Sequence, residues 1–544
     1  MGIWNFYFIA KLFLYFGEYM GFHVWLNLAF ALFLAVPVPE FIRQAKRLRL
    51  LRQVIAIPLG ISLFYYDTWL PPIKRVYTQA SMLEGFSASY LVELIGRFIN
   101  PMVVAALVLL FAAYFLAKKK LRVSSFVFIA ILFPLLPFVQ VKTPFKSVEA
   151  VSIAAGSGPA SAADASPASG SVPGPAPVTN ASLSEQLNNF YRNEAGRTVS
   201  YPPPAPMDPP FDILILQVCS LSWDDLDFTS QRNNPMFSHF DIVFNNFNSA
   251  ASYSGPAAIR LLRGSCGQTR HKALYDPAPS RCYMMDDLKD IGFEQQLLMN
   301  HDGHYGGFLE DVRERGGLKV APFGTKGLAP YLLSFDGSPV YDDYSVLSQW
   351  WENRLQSGAG RVALYYNTIS LHDGNYYDDA KSRMANRRKG TLETYPTRQQ
   401  QLLEDMDRFF SMLEASGRRV VVIFIPEHGA SVRGDRMQIA GLREIPTPRI
   451  SLVPVGIKLV GVPEKPGAKP VVITKPSSYL ALSELLSGFI RIDPFGGSLP
   501  LEDYVRDLPA TDFVAENEDV VVMRRNKHYY IHSSDAEWLE YDPD

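Results

Sequence analysis

Cysteine is scarce, 3 in 544 residues, which excludes a disulfide-dense miniature scaffold. Charge is scarce as well: Asp, Glu, Lys and Arg make up 19% of the chain, against roughly 25% in an average globular domain. Neither sign is in excess, since 52 basic and 54 acidic residues leave a net charge of −2, so no global field attracts nucleic acid. Aromatic residues are plentiful at 13%, and that excludes a disordered chain. The shortage of charge is concentrated in residues 1–145, where apolar runs dominate, and a wholly soluble protein is excluded too. The length suits roughly two to four domains.

Five stretches read as membrane spans: residues 1–16, 21–38, 54–70, 102–117 and 126–141. Each approaches the ~20 apolar residues needed to cross ~30 Å of hydrocarbon. Lys11 interrupts the first run, which alternatively lies in the interface as an amphipathic helix; His23 and Asn27 mark the second and Asp67 the third. Arg43, Lys46, Arg47, Arg49 and Arg52 fill one connection, and Lys118, Lys119, Lys120 and Arg122 another. Both belong on the cytoplasmic side. Five spans threaded through those points put the N-terminus inside and everything after Val141 outside, in the periplasm of a Gram-negative host.

Residues 146–210 read as a linker. Between 155 and 176, all but Asp164 and Val172 are Pro, Ala, Gly or Ser, a composition that cannot bury enough apolar surface to offset the entropy of ordering. It serves as a leash that lets an outer domain reach a polymer, or as a plain spacer.

From 211 to 544, buried-strand runs at 211–218, 361–368, 419–425 and 451–460 alternate with helical patterns such as 399–415. This predicts an α/β domain with a mostly parallel sheet between helices. Ligands in such folds gather at the C-terminal ends of strands, where Cys219, His372, Glu427 and His428 stand. Cys266 and Cys282 flank a turn-rich loop and form the natural disulfide outside the cell. Cys219 is then the odd thiol, either a metal ligand or a small buried hydrophobe. Ser254 suits the N-cap of the helix that follows, with Pro256 in its first turn and Gly264 at its end. A thiolate, an imidazole, a carboxylate and a hydroxyl together suit one four-coordinate Zn²⁺, and the soft sulfur disfavours Mg²⁺ and Ca²⁺.

In order, the segments NNPMFSHFDIVFNNFNSAASYSGPAAIRLLRG, LKDIGFEQQLLMNHDGHYGGF, SLHDGN and VVVIFIPEHGAS resemble the alkaline phosphatase and sulfatase superfamily. Within it, five spans plus an outer head resemble the phosphoethanolamine transferases and lipoteichoic acid synthases, and most of all those that modify cellulose. The resemblance implies zinc on Cys219, Ser254, Glu427 and His428, with Ser254 the nucleophile. It implies phosphatidylethanolamine as donor, the glucose 6-hydroxyl of cellulose as acceptor, and neighbouring subunits of a cellulose synthase complex in the inner membrane as partners. His372 is expected to protonate the leaving alkoxide, Arg443 to neutralise phosphoryl oxygens and Tyr253 to bond the same group; the alternative for each is a structural role. Lipid A transferases differ in having a carboxylate at the Cys219 position, Thr at that of Ser254 and extra histidines, so one zinc is expected here. Sulfatases carry an Arg where Ala258 stands. His301, His304, Arg433 and Arg436 have no assigned place, and Trp223, Trp350 and Trp351 either stack on glucan or fill the core. The rival readings are a phosphoethanolamine or phosphoglycerol transferase for another glycan or lipid, and a non-catalytic scaffold of a polysaccharide export complex.

Overall fold

The computed structural model describes residues 2–17, 19–36, 45–68, 91–93, 96, 101–136, 146–147, 178–203, 210–377, 391–435, 437–462, 469–497, 499–533 and 537–542. The stretch 155–176, the last residues of the expected spans 21–38, 54–70 and 126–141, and Arg436 lie outside them. The described chain divides into two compact units, one within residues 2–136 and one from residue 146 on.

The N-terminal unit is helical: Trp4–Phe16, Val24–Ala35, Ala45–Asp67, Pro101–Ala117 and Val123–Leu132. One helical stretch, Arg47–Asp67, is long and apolar enough to cross a membrane, while Val24–Ala35, Pro101–Ala117 and Val123–Leu135 are apolar but shorter. The polar residues that interrupt the apolar runs meet one another. Lys11 Nζ donates to Asn27 Oδ1 at 2.8 Å and pairs with Asp67. Asn27 Nδ2 donates to Asp67 Oδ2 at 2.7 Å, and His23 Nδ1 lies 2.6 Å from Asp67 Oδ1. Charges buried among apolar helices persist only when paired and bonded in this way.

The second unit is α/β. Its central sheet contains β1 (Phe211–Val218), β2 (Ile242–Asn248), β3 (Glu294–Met299), β4 (Val362–Thr368), β5 (Arg419–Pro426), β6 (Leu452–Val460) and β7 (Val471–Ile473). The strand order is β7-β2-β6-β5-β1-β4-β3. Every neighbouring pair is parallel except the two that involve β6, which runs antiparallel to both β2 and β5. Both faces are covered, which is why these strands show no alternation of apolar and polar residues. Phe211, Ile213 and Ile215 of β1 enter one core with helices Ser254–Leu262 and Tyr479–Arg491; Leu214, Leu216 and Val218 enter the other with Asp343–Gln356 and Thr391–Ala415.

Within the expected linker the structure forms a helix, Asn180–Ala195. Thr179 and Ser182 close a capping box at its start. Its apolar stripe, Leu183, Leu187 and Phe190, packs against Val514, Val521, Met523, Tyr530 and Trp538. All but Trp538, which precedes the strand Leu539–Tyr541, belong to a C-terminal antiparallel sheet that also takes up Lys146–Ser147. The folded unit therefore starts well before residue 211. The hairpin within that sheet joins Val520–Arg525 to His528–Ser533 through Asn526, whose φ of 57° is one that Asn tolerates in a tight turn.

Candidate functional site

Because β1, β4 and β5 are adjacent and parallel, their C-terminal ends open on one edge. Val218 pairs with Thr368 on one side and Pro426 on the other. Past that level the chains stay stitched: Cys219 N–H donates to Thr368 O (3.0 Å), Glu427 N–H to Val218 O (2.8 Å) and Leu221 N–H to His428 O (2.7 Å). Ser220 turns the chain at φ 61°, a conformation that costs energy outside glycine and clusters at functional sites. Gly429 is required for close approach, since a Cβ there would stand 2.5 Å from Ser222 Oγ.

Cys219 Sγ, His428 Nε2 and a Glu427 oxygen lie within 4.8 Å of one another, all three residues buried. Sγ is 4.0 Å from Nε2, Nε2 is 3.8 Å from Glu427 Oε2, and Ser254 Oγ is 3.5 Å from Sγ. Ligands on a tetrahedral ion with bonds of about 2.0–2.3 Å stand roughly 3.6 Å apart, so these separations match a zinc-sized centre. The bonding pattern agrees. His428 Nδ1 lies 2.9 Å from the Gly429 carbonyl, which can only accept, so Nδ1 carries the proton and Nε2 presents its lone pair to the cluster. Glu427 Oε2 is buried without a hydrogen-bond partner, an orphaned acceptor that a cation would satisfy. Burial and Glu427 push the Cys219 thiol up to about 12, so a cation bound there displaces the thiol's proton.

Ser254 does not take the cap position that the sequence suggests. The structure puts Tyr253 at the cap position and Ser254 in the first turn, and no side chain caps this helix. Half-buried, Ser254 stands at the mouth of the cluster. Arg443 donates to Ser220 Oγ at 3.0 Å and lowers the proton affinity of Cys219, Glu427, His428 and His372 alike. Tyr253 Oη bonds Glu444 Oε1 at 2.7 Å, and the Arg443 guanidinium sits 5.8 Å from the Tyr253 ring centre. His372 Nδ1 bonds the Asp373 carbonyl at 2.6 Å, and burial, then Arg443, pushes the ring down to about 4. Its Nε2 is therefore an acceptor at neutral pH.

Asn367, near the end of β4, escaped the sequence reading. Its Nδ2 donates to Glu427 Oε1 at 2.6 Å and its Oδ1 lies 2.9 Å from His301 Nε2. Since His301 Nδ1 accepts from Gly303 N–H at 3.1 Å, Nε2 bears the proton. The chain His301–Asn367–Glu427 thus orients the carboxylate. The signal was a lone amide inside the buried run VALYYNT.

Cys266 and Cys282 form a disulfide. His304 pairs with Asp302 and Asp336, and Arg433 with Asp224. Trp350 and Trp351 are core residues, 2% and 0% exposed, and Trp223 stacks under Arg232.

Fold and site together define an α/β domain built around a single candidate metal centre among the described residues. Two family models cover the chain: the cellulose biosynthesis protein BcsG N-terminal domain over residues 4–135 and the BcsG C-terminal domain over residues 169–538. The chain is 42% identical to the cellulose biosynthesis protein BcsG of Escherichia coli strain K12, over 99% of this chain and 96% of that one. It is 41% identical to that of Salmonella typhimurium strain LT2, with the same coverage. It belongs to the BcsG family. Among solved structures, a protein of the alkaline phosphatase superfamily from Vibrio parahaemolyticus aligns with a TM-score of 0.45 and 13% identity, over 66% of this chain and 88% of that one.

Proposed function

We propose that this chain is a membrane-anchored, zinc-dependent transferase that moves phosphoethanolamine from phosphatidylethanolamine to the glucose 6-hydroxyl of cellulose. The observation that supports it most is the convergence of Cys219, His428 and Glu427 on one point with Ser254 Oγ beside them. The relatives' name, cellulose biosynthesis protein, favours a cellulose acceptor.

Zinc held by Cys219, Ser254, Glu427 and His428 would lower the pKa of the serine hydroxyl and balance charge on a phosphoryl oxygen. Ser254 Oγ forms a bond to phosphorus as the bond to the diacylglycerol oxygen breaks, leaving phosphoethanolamine on the serine. The departing alkoxide takes up a proton, which His372 would supply once an anionic phosphoryl group raises its proton affinity. In the second half the 6-hydroxyl attacks phosphorus, gives up its proton to His372 and frees Ser254. Arg443 balances charge on the phosphoryl oxygens, and Tyr253 lines their approach.

The N-terminal unit, with about five helices, would anchor the protein in the inner membrane and hold the catalytic domain in the periplasm. The disulfide agrees with an oxidising compartment. The test is solid-state ³¹P NMR and mass spectrometry of cellulose from matched strains. Wild type should show a phosphoethanolamine increment and Ser254→Ala none; an increment retained by Ser254→Ala would sink the nucleophile assignment.

A further inference from the structure

The helix Ser254–Leu262 carries the serine at one end and Arg260 near the other. Arg260 is 5% exposed, yet its guanidinium makes a single hydrogen bond among the described residues, from Nη1 to the Thr269 carbonyl at 2.8 Å. Nε and Nη2 are buried without partners. Glu516, the carboxylate in its electrostatic neighbourhood, accepts instead from Tyr191 Oη and His271 N–H, both at 2.7 Å. A buried cation left unpaired costs several kcal/mol.

Arg260 lines a cavity of about 210 Å³ together with Arg263, Gln268, Thr269, Tyr479 and the Cys266–Cys282 bridge. Arg263 is held by carbonyls, Nε to Arg315 O at 2.7 Å and Nη2 to Asp276 O at 3.0 Å, and by the Tyr283 side chain, with the Asp276 carboxylate in its electrostatic neighbourhood. The acidic residue of the lining, Asp276, is exposed and makes no ion pair within 4.0 Å of either arginine among the described residues. Two arginines thus line one small hollow, neither in an ion pair within 4.0 Å among the described residues, and the unpartnered Nε and Nη2 of Arg260 form the fork that grips two oxygens of one oxyanion.

We propose that this cavity is a second binding site, distinct from the metal centre, that takes one phosphate or phosphate-ester group on Arg260. The site rests on the cavity and its arginines and stands whether or not Ser254 is the nucleophile. The phosphate comes either free in solution or on a lipid, and both present the same oxyanion.

Titration calorimetry on the full chain in detergent, at fixed ionic strength, tests the site. The probes are inorganic phosphate, dihexanoyl phosphatidic acid below its micelle concentration, and acetate. Wild type should bind phosphate saturably, and Arg260→Met should weaken it by about tenfold or more. Should Arg260→Met fail to fold, Arg260→Lys carries the test, with weakening by roughly threefold or more as the fork is lost. Tighter binding of phosphatidic acid identifies a lipid-borne group, and tighter binding of inorganic phosphate a soluble one. Unchanged affinity in the Arg260 variants, no binding by wild type, or acetate binding as tightly as phosphate would overturn the assignment.

Discussion

Glu427 is held from one side only. Asn367 fixes Oε1 while Oε2 is left open toward His428 and Cys219, so the carboxylate is oriented before any ion arrives. Asn367→Leu keeps the size of the side chain but removes both bonds, to Glu427 and to His301. Residues that orient metal ligands typically contribute about 10–100-fold in affinity. The variant should lose zinc affinity within that range while remaining folded, as measured by competition with a chelating dye; wild-type affinity would show that Glu427 needs no guide. At this scale Cys219, Ser254, Glu427 and His428 were legible because each sits where a buried run or helix begins or ends. Asn367 was not, because its partners lie 60 and 66 positions away and only the register of β4 brings them near.

Helices Asp343–Gln356 and Thr391–Ala415 pack side by side on one face of the sheet, and their contact holds a surplus of acid. Asp405, 1% exposed, is pushed up to about 8 by burial and by Asp343 and Asp342. A folded carboxyl raised above its unfolded value of 3.8 contributes stability that is complete below that value and lost as pH climbs through about 8. Asp405→Asn escapes this loss. Relative to wild type it should gain on the order of 4 kcal/mol between pH 5 and pH 8, seen as a widening gap in Tm; a gap constant with pH would absolve the carboxyl. Elements were unevenly legible. β1, β4, β5 and β6 announce themselves as β-branched runs, whereas β2 (IVFNNFN) and β3 (EQQLLM) carry polar residues that blur the pattern. The helix Asn180–Ala195 hides in a stretch dominated by proline, alanine and serine, because its apolar stripe has meaning only against the C-terminal sheet.

The whole molecule joins an apolar N-terminal unit to a larger, disulfide-bearing α/β unit. On the proposed topology the basic stretch 118–122 would face the cytoplasm and the chain from 146 onward would face outward. In Cys219→Ala chains carrying one added cysteine, a membrane-impermeant maleimide should label Ala160→Cys in intact spheroplasts and Lys119→Cys only after lysis. The opposite pattern would invert the topology. The two-unit division was legible from the charge gradient alone, while the true start of the outer unit was not, for the reason just given.

The packing of Asn180–Ala195 on the closing sheet has a practical corollary. Scissors applied to the gene at codon 211 would strip Leu183, Leu187 and Phe190 from their seat and leave a sticky patch around Trp538. A chain cut upstream of Thr179 keeps its own lid on that patch.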